Sequence, residues 1–209
     1  MFESSQLIMF IIVSFLLCLA PGPDNIYVLT QGITKNKKAA IVTTFGLATG
    51  LVVHTSAAAF GISVIFQTSQ LAFDIVKYLG VLYLLYIAYQ AFKYREEALN
   101  LDIESSKEEM KNLYIKGFIM NILNPKVSIF FLAFLPQFVD TTSSNVPLQM
   151  IILGGIFMLI TIFVFSMIGI TGNLLSLKLK QKPSIVKYMN ILTSFILVSL
   201  GIKLAFAQQ

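Results

Sequence analysis

Leu16-Leu17-Cys18-Leu19-Ala20-Pro21-Gly22-Pro23-Asp24-Asn25 decides how this chain is read. It closes an apolar run that begins near residue 6 and is too long for a buried helix of a soluble core, which takes about 10 to 14 apolar residues, while it matches the roughly 20 that a bilayer crossing needs. Proline inside such a run removes a backbone donor and clashes with the preceding turn. The helix is therefore expected to break, leaving carbonyls over residues 16 to 19 in need of partners in a medium without water. Protein, ordered water or a transported solute can each supply them. The leading residues 1 to 6 lack the positive charge of a signal peptide, and no small-residue cleavage site follows, so the segment is expected to be retained.

Outward from that stretch, the 209 residues are 56% hydrophobic and only 12% charged, with a mean hydropathy of +0.81, outside the range of a soluble domain of this length. Apolar runs bounded by charge or turn residues place spans near 6–31, 39–66, 72–92, 113–139, 148–173 and 185–206. The expected fold is an all-α membrane protein of about six transmembrane helices. Loops one, three and five carry Lys35, Lys37 and Lys38; Lys93, Arg95, Lys107 and Lys111; and Lys178, Lys180 and Lys182. The amino terminus and residues 67–72 and 140–147 hold neither lysine nor arginine. Positive charge collects on the cytoplasmic side, so six crossings put both termini outside. A first segment folded back as a re-entrant hairpin, leaving five crossings and the amino terminus inside, fits the same lysines. The net charge of +5 thus marks a membrane face and calls for the lipid bilayer, not nucleic acid, as partner. Single Cys18 offers neither a disulfide nor metal spacing and reads as packing.

Only residues 93–112 read as soluble, a charge-mixed connector at mid-chain. The segments on either side correspond. Pro21 and Pro23 interrupt the first span, and Asn124-Pro125 interrupts the fourth. Val76-Lys77-Tyr78-Leu79-Gly80-Val81-Leu82 also lies over Val186-Lys187-Tyr188-Met189-Asn190-Ile191-Leu192 with four identities. Residues 1–105 and 106–209 therefore read as two three-helix repeats, each with a proline-broken first helix. Three crossings per half is an odd number, so the second copy is inverted relative to the first. Discontinuous helices at matched places in inverted halves point to a midplane binding site in a transporter. A lone break is often just a kink, but two matched ones are harder to explain that way.

Pro21, Gly22, Pro23, Asp24 and Asn25 at the first break, with Asn121, Asn124, Pro125 and Lys126 at the second, are the expected substrate-binding or coupling residues. Asp24 is the only acid at a break, and a carboxylate within a membrane is costly enough to suggest a role in binding an ammonium group or carrying a proton; capping the second half-helix is the equal alternative. Asn124 and Pro125 read as N-cap and first helical residue. Lys126 has three readings: holding a carboxylate, pairing with Asp24, or snorkelling to an interface. Gly46, Gly50, His54 and Ala58 form a small-residue stripe that lets another helix approach. His54 on that stripe is either a proton shuttle or, slightly favoured, a neutral link between helices. Tyr83, Tyr86 and Gln90 share a face that suits a polar path or plain packing, and Gln137 is a further weak candidate.

One His, one Cys and no paired acids at helical spacing give no metal site, no catalytic dyad and no cofactor, and no nucleotide loop appears. The chain is expected not to be an enzyme. Any uphill transport must then draw on an ion gradient.

Ala20-Pro21-Gly22-Pro23-Asp24-Asn25, residues 46–54 with Gly61, Gly80 with Tyr83-Leu84-Leu85-Tyr86, Gly117-Phe118, residues 121–126 and residues 130–138 together resemble the LysE/RhtB amino-acid exporters of bacterial inner membranes, over nearly the whole chain. The proline-glycine-proline and the distant Asn124-Pro125-Lys126 with Phe134-Leu135-Pro136-Gln137-Phe138 are the most specific parts. Asn36, Ala40 and Ala88 depart from glycines usual in that family. The resemblance implies efflux of amino acids through the bacterial inner membrane, with proton antiport as coupling and room for a homo-oligomer. Asp24 and Asp74 are essentially the only acids within the spans, which favours neutral or hydrophilic substrates over a dicationic one. The alternatives are export of another small solute or cation, which predicts clustered carboxylates or histidines, a membrane-embedded enzyme, which needs a reactive constellation at a cavity, and a channel.

Overall fold

A computed structural model of the chain describes residues 4–62, 70–95, 109–140, 145–172 and 183–206. Most of the charge-mixed connector, residues 67–69 and 141–144 of the lysine-poor loops, and Lys178, Lys180 and Lys182 lie outside the described residues. Those described contain helices and no strand.

The first span is two helices, α1 (Ser4–Leu19) and α2 (Pro23–Thr34), bent by 58° where the prolines stand. Pro23 opens α2 because a residue without an N–H and with fixed φ costs nothing at the first helical position. Asn36 ends the short loop that follows and caps α3 (Lys37–Ser56), its side chain accepting from Ala39 N at 2.9 Å. The asparagine that departs from the family's glycine is thus a helix cap. A π-helical turn, Ala57–Ile62, prolongs α3, and α4 (Gln70–Lys93) follows. The fourth span is likewise broken: α5 (Met110–Ile122) gives way to α6 (Pro125–Ile129), which continues through a π turn, Phe130–Phe134, and a 3-10 turn, Leu135–Phe138. The bend there is 49°. α7 (Val146–Ile170) and α8 (Pro183–Ala205) complete the chain.

Residues Lys37–Gly61 and Val146–Ile170 are each long and apolar enough to cross a membrane alone; each bent pair qualifies when counted as one span, for up to four among the described residues. The outward faces suit lipid. Leu82, Leu159 and Phe195 are each at least 65% exposed, and so much uncovered apolar surface is foreign to a soluble monomer.

Three packings position the site. α3 lies against α5 at close range, because a Cβ on Gly46 would collide with the backbone of Tyr114 and one on Gly117 with that of Thr43. α7 packs on α1, α2 and α3, while α4 pairs with α8 and touches the π turn. Phe130 then fills the centre, with ring centroids 4.9 Å from Phe157, 5.3 Å from Phe134 and 6.1 Å from Phe10. Offset and tilted ring pairs of this kind give large contact area and fixed geometry. They clamp the second break between α1 and α7.

Candidate functional site

The two breaks meet. Pro21 and Pro23 interrupt the helical ladder at the end of α1, yet its carbonyls are answered by protein groups. Leu16 O accepts from Ala20 N at 2.9 Å, Cys18 O from Asn25 Nδ2 at 2.5 Å, and Leu17 O and Ala20 O both from Lys126 Nζ, at 3.2 and 3.0 Å. Of the three sources expected for these partners, protein supplies those of residues 16 to 18. A protonated amine supplies several donors at once and forms stronger bonds than a neutral one. Lys126 reaches them because Gly22 leaves room: a Cβ there would stand 3.2 Å from Nζ.

Lys126 is buried and neither snorkels to an interface nor pairs with Asp24. No salt bridge joins the two among the described residues. Asp24 sits in the first turn of α2, where the helix dipole favours negative charge. Its Oδ2 accepts from Asn121 Nδ2 at 3.2 Å. The N-cap of α2 is Gly22, which brings no side chain, so no side-chain cap is present. Asp24 Oδ1 is buried without a hydrogen-bond partner, as are Asn25 Oδ1, Asn121 Oδ1 and Asn124 Nδ2. Four unanswered polar atoms, two from each break, contrast with the usual rule that buried polar groups are paired.

The second break is held from within. Asn124 caps α6, its side chain accepting from Lys126 N at 3.0 Å, and Pro125 is the first residue of that helix. Asn121 O accepts from Asn124 N at 2.9 Å and stands 3.0 Å from His54 Nε2. A carbonyl only accepts, so Nε2 carries the hydrogen and His54 ties α3 to the break. Gly50, one turn earlier on α3, faces the same asparagine, with a Cβ there reaching Asn121 Cβ at 2.8 Å. Asn121 is thus the hub, touching both breaks and the small-residue stripe.

A narrow cleft opens at this meeting point. Asp24, Asn25, Asn121 and Lys126 form its polar side, and Leu17, Cys18, Leu51, Val127, Phe157, Thr161 and Phe165 form the rest. Other sequence candidates stand elsewhere. Gln90 Nε2 donates to Tyr86 Oη at 2.7 Å on an exposed part of α4, with the Tyr83 ring 6.1 Å from that of Tyr86. Gln137 Nε2 donates to Ala133 O one turn back. Residues of α7 were missing from the sequence reading, although Phe157, Thr161 and Phe165, four apart, lie on one helical face; a hydroxyl flanked one turn away on each side by an aromatic, in an apolar stretch, is the signal that could have found them.

The LysE type translocator family model matches residues 15–208. The "Uncharacterized membrane protein YrhP" of Bacillus subtilis (strain 168) is 30% identical over 207 residues, covering 95% of this chain and 97% of the relative. The "Leucine efflux protein" of Enterobacter sp. (strain 638) is 27% identical over 196 residues, covering 94% and 93%. No solved structure matches the chain.

Proposed function

The chain belongs to the LysE type translocator family, and on that premise we propose that it is a secondary transporter exporting neutral amino acids from the cytoplasm across the bacterial inner membrane by proton antiport. The observation that carries this reading is the charge arrangement in the cleft. A buried carboxylate and a buried ammonium face one space without a salt bridge between them, and one Asp24 oxygen has no partner. Two separated buried charges are costly. An amino-acid zwitterion answers both, its ammonium at Asp24 and Asn25, its carboxylate at the Lys126 side of the break with Asn121 and Asn124 beside it. Pro21, Pro23 and Pro125 shape the breaks, and Gly22 leaves room for the Lys126 ammonium.

The export path rests on the two halves, residues 1–105 and 106–209, forming inverted repeats with six crossings and both termini outside. The packing supports that reading. α3 and α7 touch each other, α4 and α8 touch each other, and α3 lies on the fourth span as α7 lies on the first. An in-plane pseudo-two-fold axis exchanges each contact with its counterpart, and alternating access follows from rocking one half against the other. Cysteine placed at Ser4 in intact cells tests the topology: labelling from outside supports six crossings, and protection supports a re-entrant first segment with five.

The transport reading is tested by efflux of labelled amino acids from preloaded proteoliposomes, with and without a pH gradient, for wild type and Asp24→Asn. Saturable, gradient-dependent flux that falls by about 100-fold or more in the variant is expected, because the carboxylate supplies the only negative charge on the polar side of the cleft. Flux insensitive to the substitution reduces Asp24 to a partner for Asn121. Flux insensitive to the gradient removes proton antiport.

A further inference from the structure

The cleft has two unlike sides. α2, α5 and α6 supply the charged and amide groups, whereas α7 supplies Phe157, Thr161 and Phe165, all buried and spaced by four residues so that they form one continuous wall. Leu17 and Leu51 extend that wall, and no charged group of α7 reaches it. The one polar interruption is Thr161, whose hydroxyl stands 3.4 Å from Cys18 Sγ, a weak hydrogen-bonding partner. α7 packs directly on both α1 and α2, and its three wall residues line the same cleft as Asp24.

We propose that Phe157, Thr161 and Phe165 of α7 are the specificity-determining residues of the cleft, reading the substrate's side chain and selecting an apolar one of aliphatic size. The assignment rests on the exporter reading above and narrows it. An amino acid whose ammonium and carboxylate engage the polar side presents its side chain to the α7 wall. A lysine or glutamate side chain would meet aromatic rings and aliphatic carbons there, with its charge unanswered. A leucine-like side chain replaces water against apolar surface instead. The two rings bound its length. Thr161, between them, sets how much width and polarity the wall tolerates.

The test is transport by purified protein in proteoliposomes, comparing kcat/KM for alanine, valine, leucine, phenylalanine, serine and lysine. Wild type is expected to prefer leucine or valine to serine and lysine. Phe165→Ala or Phe157→Ala, which opens the wall, should raise the phenylalanine-to-leucine ratio by about tenfold, the scale on which apolar pockets discriminate by size. Thr161→Val keeps the shape and removes the hydroxyl, so it remains informative if a phenylalanine variant fails to fold; it should raise the leucine-to-serine ratio several-fold. Ratios that stay within about twofold of wild type in folded variants overturn the α7 assignment while leaving the exporter reading intact. A wild type that prefers serine or lysine does the same. No flux of any amino acid from folded wild type overturns the exporter reading, and this inference with it.

Discussion

At the first break, between α1 and α2, the chain bends by 58° around a glycine cap that brings no side chain, and two carbonyls at the end of α1 are answered by a lysine more than a hundred residues away. At the second, between α5 and α6, the bend is 49° and the neighbouring residues answer one another: Asn124 caps Lys126 N, Asn121 O takes Asn124 N, and Asn124 O takes Ser128 Oγ at 3.1 Å. The second break is self-sufficient in its local bonds and has a lysine to lend. The first carries the acid and depends on the loan. A device divided in this way joins the halves of the chain at one point, and whatever frees Lys126 from α1 frees the first break to move.

Lys126→Met should give the largest effect on stability, because it strips a charged donor from Leu17 O and Ala20 O together. Each hydrogen bond from a charged group is worth about 1.5–3 kcal/mol, and the loss of both is read as a fall in thermal stability in detergent, with transport abolished. Asp24→Asn should lose little stability by comparison, within about 1 kcal/mol, since the substituted amide oxygen still accepts from Asn121 Nδ2. Equal destabilisation by the two variants would break the asymmetry between the breaks.

Gly50→Ala is expected next in size. The added methyl would overlap the Asn121 side chain, and overpacking of this kind costs about 1–3 kcal/mol. Because Asn121 holds Asp24, flux should fall along with stability. Gly61→Ala, where nothing stands within 4 Å, provides the matched control and should leave unfolding unchanged. A Gly50 variant as benign as the Gly61 one would show that the hub tolerates displacement.

Both breaks and one of the two asparagine caps were legible in the sequence. Proline's missing donor and fixed φ are local properties, so the interruptions at residues 21–23 and 124–125 follow from the residues themselves. The N-cap at Asn124 was read from the same local rule, whereas that at Asn36 emerged only with the helix ends in place. The glycine stripe of α3 was equally visible, since repetition every four residues needs no partner to be recognised. The destination of Lys126 was not, because a long flexible side chain has several and only the fold brings α1 within its reach. The α7 wall escaped for another reason. A helix apolar all round has no amphipathic contrast, so its sequence does not tell which face meets lipid and which meets the cleft. Tyr83, Tyr86 and Gln90 of α4, which suit a polar path or plain packing, are not among the residues that line the cleft.

The smallest effects sharpen the comparison most directly, because they ask each break about its own cap. Asn124→Ala removes the side chain that accepts from Lys126 N and should cost about 1 kcal/mol, the usual loss when an asparagine cap becomes alanine. At the first break Gly22 is already a cap without a side chain, its backbone is extended with φ −172°, and an added Cβ would meet only the flexible end of Lys126. Glycine is the weaker cap of the two, so Gly22→Ala should cost somewhat less than Asn124→Ala through the cap itself. Its effect on transport should exceed its effect on unfolding, since the methyl presses on the ammonium that bridges the halves. Chemical denaturation of both variants beside their initial efflux rates separates the two effects. A Gly22 variant that unfolds as easily as the Asn124 one, with transport tracking stability in both, would mean that the first break is held by its own cap after all and that Lys126 is incidental to it.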